Sequence, residues 1–219
     1  MNNTVKKIIV YFVGLFIMAI GIGLSVKSNL GVSPVSTIPY AITLIWGIEM
    51  GQATILFYVV LVLLQAIILK KDFKAKNFLQ IPVAIAFGYF TTFSNNLMSI
   101  IPEPSNYFVR FILLIFSIVC VGAGILLYMS SDLIPLAGEG VMQAVSFKTK
   151  IEFSKCKMGF DVTMVIISAT ICYVFLNRLG SVREGTVISA ICVSLVLQLL
   201  TRLFKEDIDK FLEVDNICI

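Results

Sequence analysis

The sequence contains no histidine, few charged residues and no paired cysteine motif. Without histidine it lacks the most common zinc ligand and the usual general base. Its five cysteines include no Cys-x-x-Cys pair, so neither a zinc site nor a disulfide framework is expected. No P-loop or nucleophile–base pair is present in the sequence. These absences predict a protein that is not an enzyme and has no metal or organic cofactor.

Charged residues make up 14% of the chain, whereas a soluble domain carries about 25%. Hydrophobic residues make up 58%, and uncharged apolar runs are long enough to cross roughly 30 Å of hydrocarbon as helices. These runs are Ile8–Val26, Gly51–Leu69, Asn77–Pro102 and Phe111–Ser131. The sequence therefore predicts an all-α polytopic protein in the lipid bilayer. The net charge is +4, and the basic residues lie in short loops between the apolar runs. They therefore indicate how the chain is oriented in the membrane, and not an affinity for nucleic acid.

Apolar runs and their breaks predict six transmembrane helices and two shorter helices. The short helices are expected at about 34–47 and 135–147, and a polar cytosolic tail at 205–219. The longer helices are expected at about 8–27, 53–69, 78–100, 108–129, 160–177 and 185–204.

The positions of lysine and arginine indicate whether the short helices cross the bilayer. If both are re-entrant, 13 of these residues lie in inside loops and four in outside loops. If both span, the counts become ten and seven. The positive-inside rule favours re-entrant helices with both termini in the cytoplasm. The uncharged run 28–48 is long enough to span, so the alternative stays open.

A pattern of glycines and a proline that occurs twice, here called the echo, indicates that the chain contains two copies of one structural unit. Gly21-Ile22-Gly23 followed by Pro34 recurs 101 residues later as Gly122-Ala123-Gly124 followed by Pro135. The echo predicts a first membrane repeat at 1–104 and a second at 105–204. Three crossings per repeat would invert the second copy, giving a 3+3 inverted repeat with broken helices around a substrate site.

Ionisable groups within membrane segments are costly and usually functional. Glu139, between two glycines in the second short helix, is the strongest candidate for binding a cation or a proton. Gln143 lies one turn later on the same face, and Asp161 begins the next long helix. Both are predicted to line the same site, although Asp161 could equally be an interfacial cap. Asp132 is interpreted as the N-cap of the second short helix.

The first repeat offers neutral polar groups at the matching place. Asn29, Ser33, Ser36 and Thr37 flank Pro34, and such groups on unwound backbone can coordinate a small polar ligand or Na⁺. Ordinary capping of a short helix is the alternative interpretation. Coupling to H⁺ or Na⁺ is therefore compatible with the sequence.

Three functions remain open. The leading hypothesis is a small secondary transporter, with a homodimer as one arrangement, that moves a small polar or cationic solute. The second is a substrate-binding subunit of a larger importer, which would dock on small residues such as Gly14, Ala19 and Gly23. The third is a membrane regulator without transport activity.

Several short motifs resemble those of the YczE/YyaS/YitT group of bacterial integral membrane proteins. They are Leu30-Gly31-Val32-Ser33-Pro34, the glycines 47 and 51, and Gly185-Thr186. The resemblance covers about residues 8–204 and implies a multi-pass protein of the bacterial inner membrane. In many relatives a Trp-Asp pair follows the proline, whereas Val35-Ser36 stands here.

Overall fold

The structure, a computed structural model, describes residues 3–212, and every regular element in this part of the chain is helical. Two short 3-10 turns, Lys70–Asp72 and Ala75–Leu79, connect the third and fourth helices. The α-helices are α1 Asn3–Ser28, α2 Pro34–Trp46, α3 Met50–Leu69, α4 Gln80–Ser99, α5 Tyr107–Ser130, α6 Ala137–Thr149, α7 Phe153–Leu176 and α8 Glu184–Leu212.

Five of these helices, α1, α3, α5, α7 and α8, are long and apolar enough to cross a membrane. Helix α4 also has 20 residues and carries no charge, but threonine, serine and asparagine in its second half lower its hydropathy. Helices α2 and α6 have only 13 residues each, or about 20 Å at 1.5 Å per residue. The prediction of an all-α polytopic membrane protein is confirmed.

The two boundaries that differ most from the predicted ones are the start of α7 and the end of α8. Helix α7 begins at Phe153 rather than near 160, because Gly159 is accommodated within the helix. Helix α8 continues to Leu212 rather than ending near 204, since neither glycine nor proline interrupts residues 205–212. The first part of the predicted tail is therefore an extension of α8, and residues 213–219 lie outside the described chain.

The same backbone features recur along the chain at a constant separation of 103 residues. Left-handed backbone follows α1 at Asn29 and α5 at Asp132. Left-handed residues also end the two short helices, at Gly47 and Lys150. A glutamate is the N-cap of both following helices: Glu49 for α3 and Glu152 for α7. The separation is 103 rather than the 101 of the sequence echo, which aligned glycines and prolines that are not at equivalent backbone positions.

Helices α1 and α5 pack closely through glycine. A Cβ atom added at Gly14 would lie 2.6 Å from the backbone nitrogen of Tyr128, and one added at Gly21 would lie 3.0 Å from the carbonyl oxygen of Ser117. The partner number falls as the α1 number rises, so the two helices run antiparallel. Glycine is required at these crossings because the backbones leave no room for a side chain.

Helices α1–α4 form the first half of the chain and α5–α8 the second. Each of the other main helix contacts has an equivalent in which every helix is replaced by its counterpart in the other half. Helix α4 packs on α1 as α8 packs on α5, and α2 packs on α7 as α6 packs on α3. The exception is that α3 and α4 pack extensively, whereas α7 and α8 make scarcely any contact. Only Gly185, Thr186, Ser189 and Leu212 of α8 are buried.

Polar contacts bring three chain segments together at the first end of the bundle. The Lys27 ammonium, at the end of α1, lies 3.2 Å from a carboxylate oxygen of Glu103 in the α4–α5 loop. Arg183, in the α7–α8 loop, donates a 2.7 Å hydrogen bond to the Asn29 carbonyl. The end of α1 and these two loops therefore share one end of the bundle.

The second end holds the α3–α4 connection, the end of α6 and both outer helix termini. Lys148, near the end of α6, forms an ion pair with Asp72 in the α3–α4 connection. Lys6 in the first turns of α1 donates a 3.3 Å hydrogen bond to the carbonyl of Phe211 near the end of α8. These contacts place both described chain ends on the side opposite Lys27.

The small residues predicted to dock a partner subunit are occupied within the chain. Gly14 packs on the α5 backbone, and Ala19 is fully buried. An added Cβ at Gly23 would lie 3.2 Å from the Met98 side chain of α4. These residues do not form a free docking face, because α4 and α5 already use it.

Candidate functional site

A small cavity of about 50 Å³, here called the central cavity, lies where the first turns of α2 and α6 approach α1, α3, α5, α7 and α8. It is large enough for a few water molecules or a small cation. Much of its polar lining is hydroxyl-bearing, contributed by Ser33, Ser36, Tyr58, Ser189 and Ser194. Three charged side chains, Glu139, Lys157 and Asp161, complete the polar lining.

The central cavity is lined by equivalent positions of the two halves. Four pairs of lining residues are each separated by 103 positions, the separation of the recurring backbone features. Two of them are apolar pairs that join α1 and α5. The third pair joins the two short helices and the fourth joins α3 and α7, and within each of these pairs the two side chains differ in chemistry. The pairs are Met18 and Val121, Ile22 and Ile125, Ser36 and Glu139, and Tyr58 and Asp161. The cavity therefore lies between the halves, and its acidic groups come only from the second.

The charged residues form a compact cluster with an uncompensated oxygen. The Lys157 ammonium lies 3.0 Å from Oδ2 of Asp161, one helical turn away on α7. The Asp161 Oδ1 atom is buried and has no hydrogen-bond partner within the described residues. Both side chains are close enough to Glu139 to interact electrostatically with it. With all three groups ionised, the cluster carries one net negative charge, which favours a cationic or protonated ligand.

Helix α2 is held at its first turn by α7. The Thr37 hydroxyl donates a 2.6 Å hydrogen bond to the Pro34 carbonyl and a longer one to Met164. Ser168 of α7 donates a 2.8 Å hydrogen bond to the Thr37 carbonyl and also contacts the Ser181 hydroxyl. Thr37 is fully buried, so it fixes the helix in place and does not line the cavity.

Helix α6 is held at its first turn by Gln65 of α3, which is itself paired with Gln80 of α4. The side-chain amides of Gln65 and Gln80 exchange hydrogen bonds of 2.8 and 3.1 Å. Gln65 also donates a 3.1 Å hydrogen bond to the Ala137 carbonyl. A Cβ added at Gly140 would lie 2.6 Å from the Gln65 amide oxygen, so glycine allows this close approach. The glycine after Glu139 is therefore explained by packing.

Glu139 also faces a second space, the inner cavity, of about 130 Å³. Tyr128 lines it as well, and its buried hydroxyl interacts electrostatically with Glu139 without a hydrogen bond of ordinary geometry. Asp132 and Gln143 contribute the other polar groups. Glu139 thus lies between the inner and the central cavity.

The inner cavity continues towards the second end of the bundle. A larger space of about 670 Å³, the vestibule, shares with it Leu133, Ile134, Pro135 and Gln143. The vestibule is lined by Lys71, Lys74 and Lys76 of the α3–α4 connection. A sequence of spaces therefore leads from the basic end of the bundle to Glu139.

Four of the seven predicted site residues line the central cavity, and three do not. Glu139, Asp161, Ser33 and Ser36 meet there. Gln143 is exposed and lines the inner cavity and the vestibule instead, because it lies one turn further along α6 than Glu139. Thr37 is buried between helices, and Asn29 lies at the end of α1 in left-handed backbone, with its carbonyl bound by Arg183.

The interpretation of Asp132 as the N-cap of the second short helix is wrong. Leu136 is the residue at that position, and no side chain caps the helix. Asp132 is exposed, with φ +50°, in the turn after α5. An extended segment separates it from α6, so its carboxylate belongs to the wall of the inner cavity.

Four further lining residues of the central cavity were not predicted from the sequence: Lys157, Tyr58, Ser189 and Ser194. Lys157 was detectable, because it precedes Asp161 by four residues and the two share one helix face. The others are a tyrosine in an apolar helix and serines on α8, which no local pattern distinguishes from packing residues. Within residues 3–212, no three His, Cys, Asp or Glu side chains are grouped so as to hold a metal ion.

An all-helical bundle with five membrane-length apolar helices is a polytopic membrane protein. The chain belongs to the family of unknown function DUF6198, whose model matches residues 5–202. Over 189 residues it is 25% identical to the uncharacterized membrane protein YczE of Bacillus subtilis (strain 168), covering 86% of this chain and 82% of that protein. These matches confirm the predicted resemblance to the YczE group. No solved structure matches the chain.

Proposed function

We propose that this protein is a small secondary transporter of the bacterial inner membrane that moves a small polar or cationic solute. The observation that carries the proposal is the central cavity, which both halves line at equivalent positions and which the second half makes acidic. Sites between inverted repeats at the first turns of broken helices are typical of secondary transporters. The proposal assigns no catalytic chemistry to the chain.

The proposed topology has six spans, two re-entrant helices and both termini in the cytoplasm. Two ion pairs support it, Lys27 with Glu103 and Lys148 with Asp72. If α2 and α6 both spanned the bilayer, the partners in each pair would lie on opposite faces of the membrane. The six-span topology brings each pair to one face, and it puts the four lysines of 70–76 inside, as the positive-inside rule favours.

The proposal of a 3+3 inverted repeat is supported by backbone recurrence and packing. Left-handed residues and N-caps recur 103 residues apart, and most helix–helix contacts have an equivalent contact between the corresponding helices of the other half. Antiparallel α1 and α5 have the relative direction that inversion requires. Exchange between two arrangements of the halves would open the central cavity alternately to the two faces.

Glu139 is proposed to bind the cation or to carry the coupling proton. It lies between the central cavity and the inner cavity, and the latter leads to the vestibule. Oxygen atoms of Ser36, Tyr58 and the two carboxylates provide the ligand type that Na⁺ prefers, and a carboxylate alone suffices for H⁺. Coupling to either ion is therefore compatible with the lining.

The test is a thermal-stability panel on the purified protein in detergent, with amines, amino acids, vitamins and Na⁺ at several pH values. A ligand at 100 times its Kd should stabilise the protein by about 2.7 kcal/mol. We expect a stabilising cationic ligand whose effect is lost in Glu139→Gln and retained in Asp132→Asn, which removes an exposed carboxylate nearby.

Equal stabilisation of wild type and Glu139→Gln would contradict the proposed site. Loss in both variants would show that the carboxylate in the wall of the inner cavity is also needed for binding, and that Glu139 alone does not form the site. If no ligand of the panel stabilises the wild type, the result would favour a membrane regulator or a subunit that needs its partner.

A further inference from the structure

The two halves differ most between their last two helices, where a cleft opens to the side of the bundle. Helix α3 packs along α4, but the equivalent α7 and α8 are separated. The space between them, the lateral cleft, has a volume of about 700 Å³. Sites for drug-sized ligands commonly have about 300–1,000 Å³, so the cleft can hold a molecule much larger than the central cavity admits.

The walls of the lateral cleft are apolar and its deep end is charged. Val162, Val165 and Ile166 of α7 face Val187, Ile191 and Leu195 of α8 across it. Lys157, Asp161 and Ser194 line both this cleft and the central cavity, so the two spaces meet at the ion pair. The cleft therefore changes from apolar at its lipid-facing walls to charged at its deep end.

The charged end lacks a partner for one carboxylate oxygen. Lys157 contacts Oδ2 of Asp161, whereas the buried Oδ1 accepts no hydrogen bond within the described chain. A buried carboxylate oxygen without a donor is costly, and an ammonium group arriving along the cleft would provide one. An anionic head group would find Lys157 already paired with Asp161 and would be repelled by the net negative charge of the cluster that these two residues form with Glu139.

We infer that the lateral cleft admits an amphiphile with a cationic amine head group and an apolar tail, entering from the bilayer. The amine binds at Asp161 beside the central cavity, and the tail lies between α7 and α8. This inference rests on the proposed transport function and names its substrate class. Partitioning of the apolar tail concentrates such molecules in the bilayer, and lateral diffusion brings them to the side of the bundle where the cleft opens.

The experiment is photo-crosslinking of the full chain in phosphatidylcholine nanodiscs. The probe is dodecylamine with a diazirine in the middle of its chain, and the labelled residues are mapped by mass spectrometry. The matched probe is dodecanoic acid with the same diazirine. Three variants are compared: Asp161→Asn, Val165→Phe, which enlarges a side chain that lines the cleft and not the central cavity, and Leu203→Phe, which changes the exposed face of α8 outside it.

The amine probe should label the facing residues of α7 and α8, and the acid probe should not. Labelling should fall at least about tenfold in Asp161→Asn, as expected when a charge-assisted hydrogen bond is lost. It should also fall in Val165→Phe and persist in Leu203→Phe. Equal labelling by both probes, unchanged in Asp161→Asn, would overturn the inference, because the cleft would then be a groove for any lipid.

A parallel titration with butylamine, followed by thermal stability, separates this inference from the proposed function. If butylamine binds in an Asp161-dependent way while the long-chain amine does not label the cleft, the amphiphile is excluded and a transporter of small cations stands. If neither binds, the amine amphiphile is excluded, and the proposed function is then decided by Na⁺ and the other solutes of the stability panel. Cross-linking of α8 to α8 in a homodimer, with no labelling, would show that a second copy covers the cleft and would overturn the inference.

Discussion

Ser36 and Glu139 line the same small cavity from the first turns of two 13-residue helices, and 103 residues separate them. The same separation relates the left-handed turns and the N-caps of the flanking helices. Equivalent backbone positions therefore carry a neutral hydroxyl in one half and a carboxylate in the other. The packing of the two halves is nearly equivalent around this cavity, whereas its charge belongs to one half.

The proposed six-span topology predicts which loops can be labelled from outside the cell. In a cysteine-free background, single cysteines replacing Glu103 and Arg178 should react with a membrane-impermeant maleimide in intact cells. Cysteines replacing Lys71 and Lys148 should react only after permeabilisation, because both lie at the second end of the bundle with Asp72. Reaction at 71 in intact cells, together with protection at 103, would contradict re-entrant helices and indicate eight spans.

The buried glutamine pair predicts a loss of stability when only one partner is removed. Gln65→Leu leaves the Gln80 amide buried without its partner and removes the hydrogen bond to Ala137. We expect destabilisation of about 1–3 kcal/mol, measured by unfolding in mixed detergent micelles. Gln52→Leu, an exposed position on the same helix, is the control and should stay within about 0.5 kcal/mol.

The double variant Gln65→Leu/Gln80→Leu tests whether the unpaired Gln80 amide causes the loss of stability. Replacing both amides removes the unpaired group, so part of the lost stability should return. A double variant less stable than the sum of its single changes would contradict the account of a reciprocal pair.

The crossing of α1 and α5 predicts different outcomes for two glycine-to-alanine changes. A Cβ at Gly124 would lie 2.6 Å from the backbone nitrogen of Met18, which cannot move without displacing α1. Gly124→Ala should therefore cost about 1–3 kcal/mol in unfolding free energy. Gly159 in α7 has no neighbour within 4 Å of an added Cβ, so Gly159→Ala should be neutral or stabilise by up to about 1 kcal/mol. Equal effects would show that packing at the crossing is not tight.

Much of the helical fold can be predicted from local sequence. Uncharged runs mark the long helices, and Pro34 marks the start of α2. The start of α7 could not be placed, because Gly159 looks like a break yet lies inside a continuous helix. Packing against α2 and α6 supports that helix, and such tertiary support is not visible in the local sequence.

The candidate site was predictable where chemistry is unusual for a membrane segment. Glu139 and Asp161 are conspicuous as acids, but Tyr58 looks like any aromatic residue in an apolar helix. It reaches the central cavity only because α3 packs on α6 from the other half. The 101-residue echo was also misleading, since it matched residue types rather than equivalent backbone positions.

The most direct test of the central claim is charge movement through the reconstituted protein on a solid-supported membrane. Concentration jumps of Na⁺ and of short alkylamines would be applied to wild type, Glu139→Gln and Asp132→Asn. The account predicts currents in wild type and Asp132→Asn, and none in Glu139→Gln, because Glu139 borders both the central and the inner cavity whereas Asp132 borders the inner one. Undiminished currents in Glu139→Gln would contradict a cation site between the two halves.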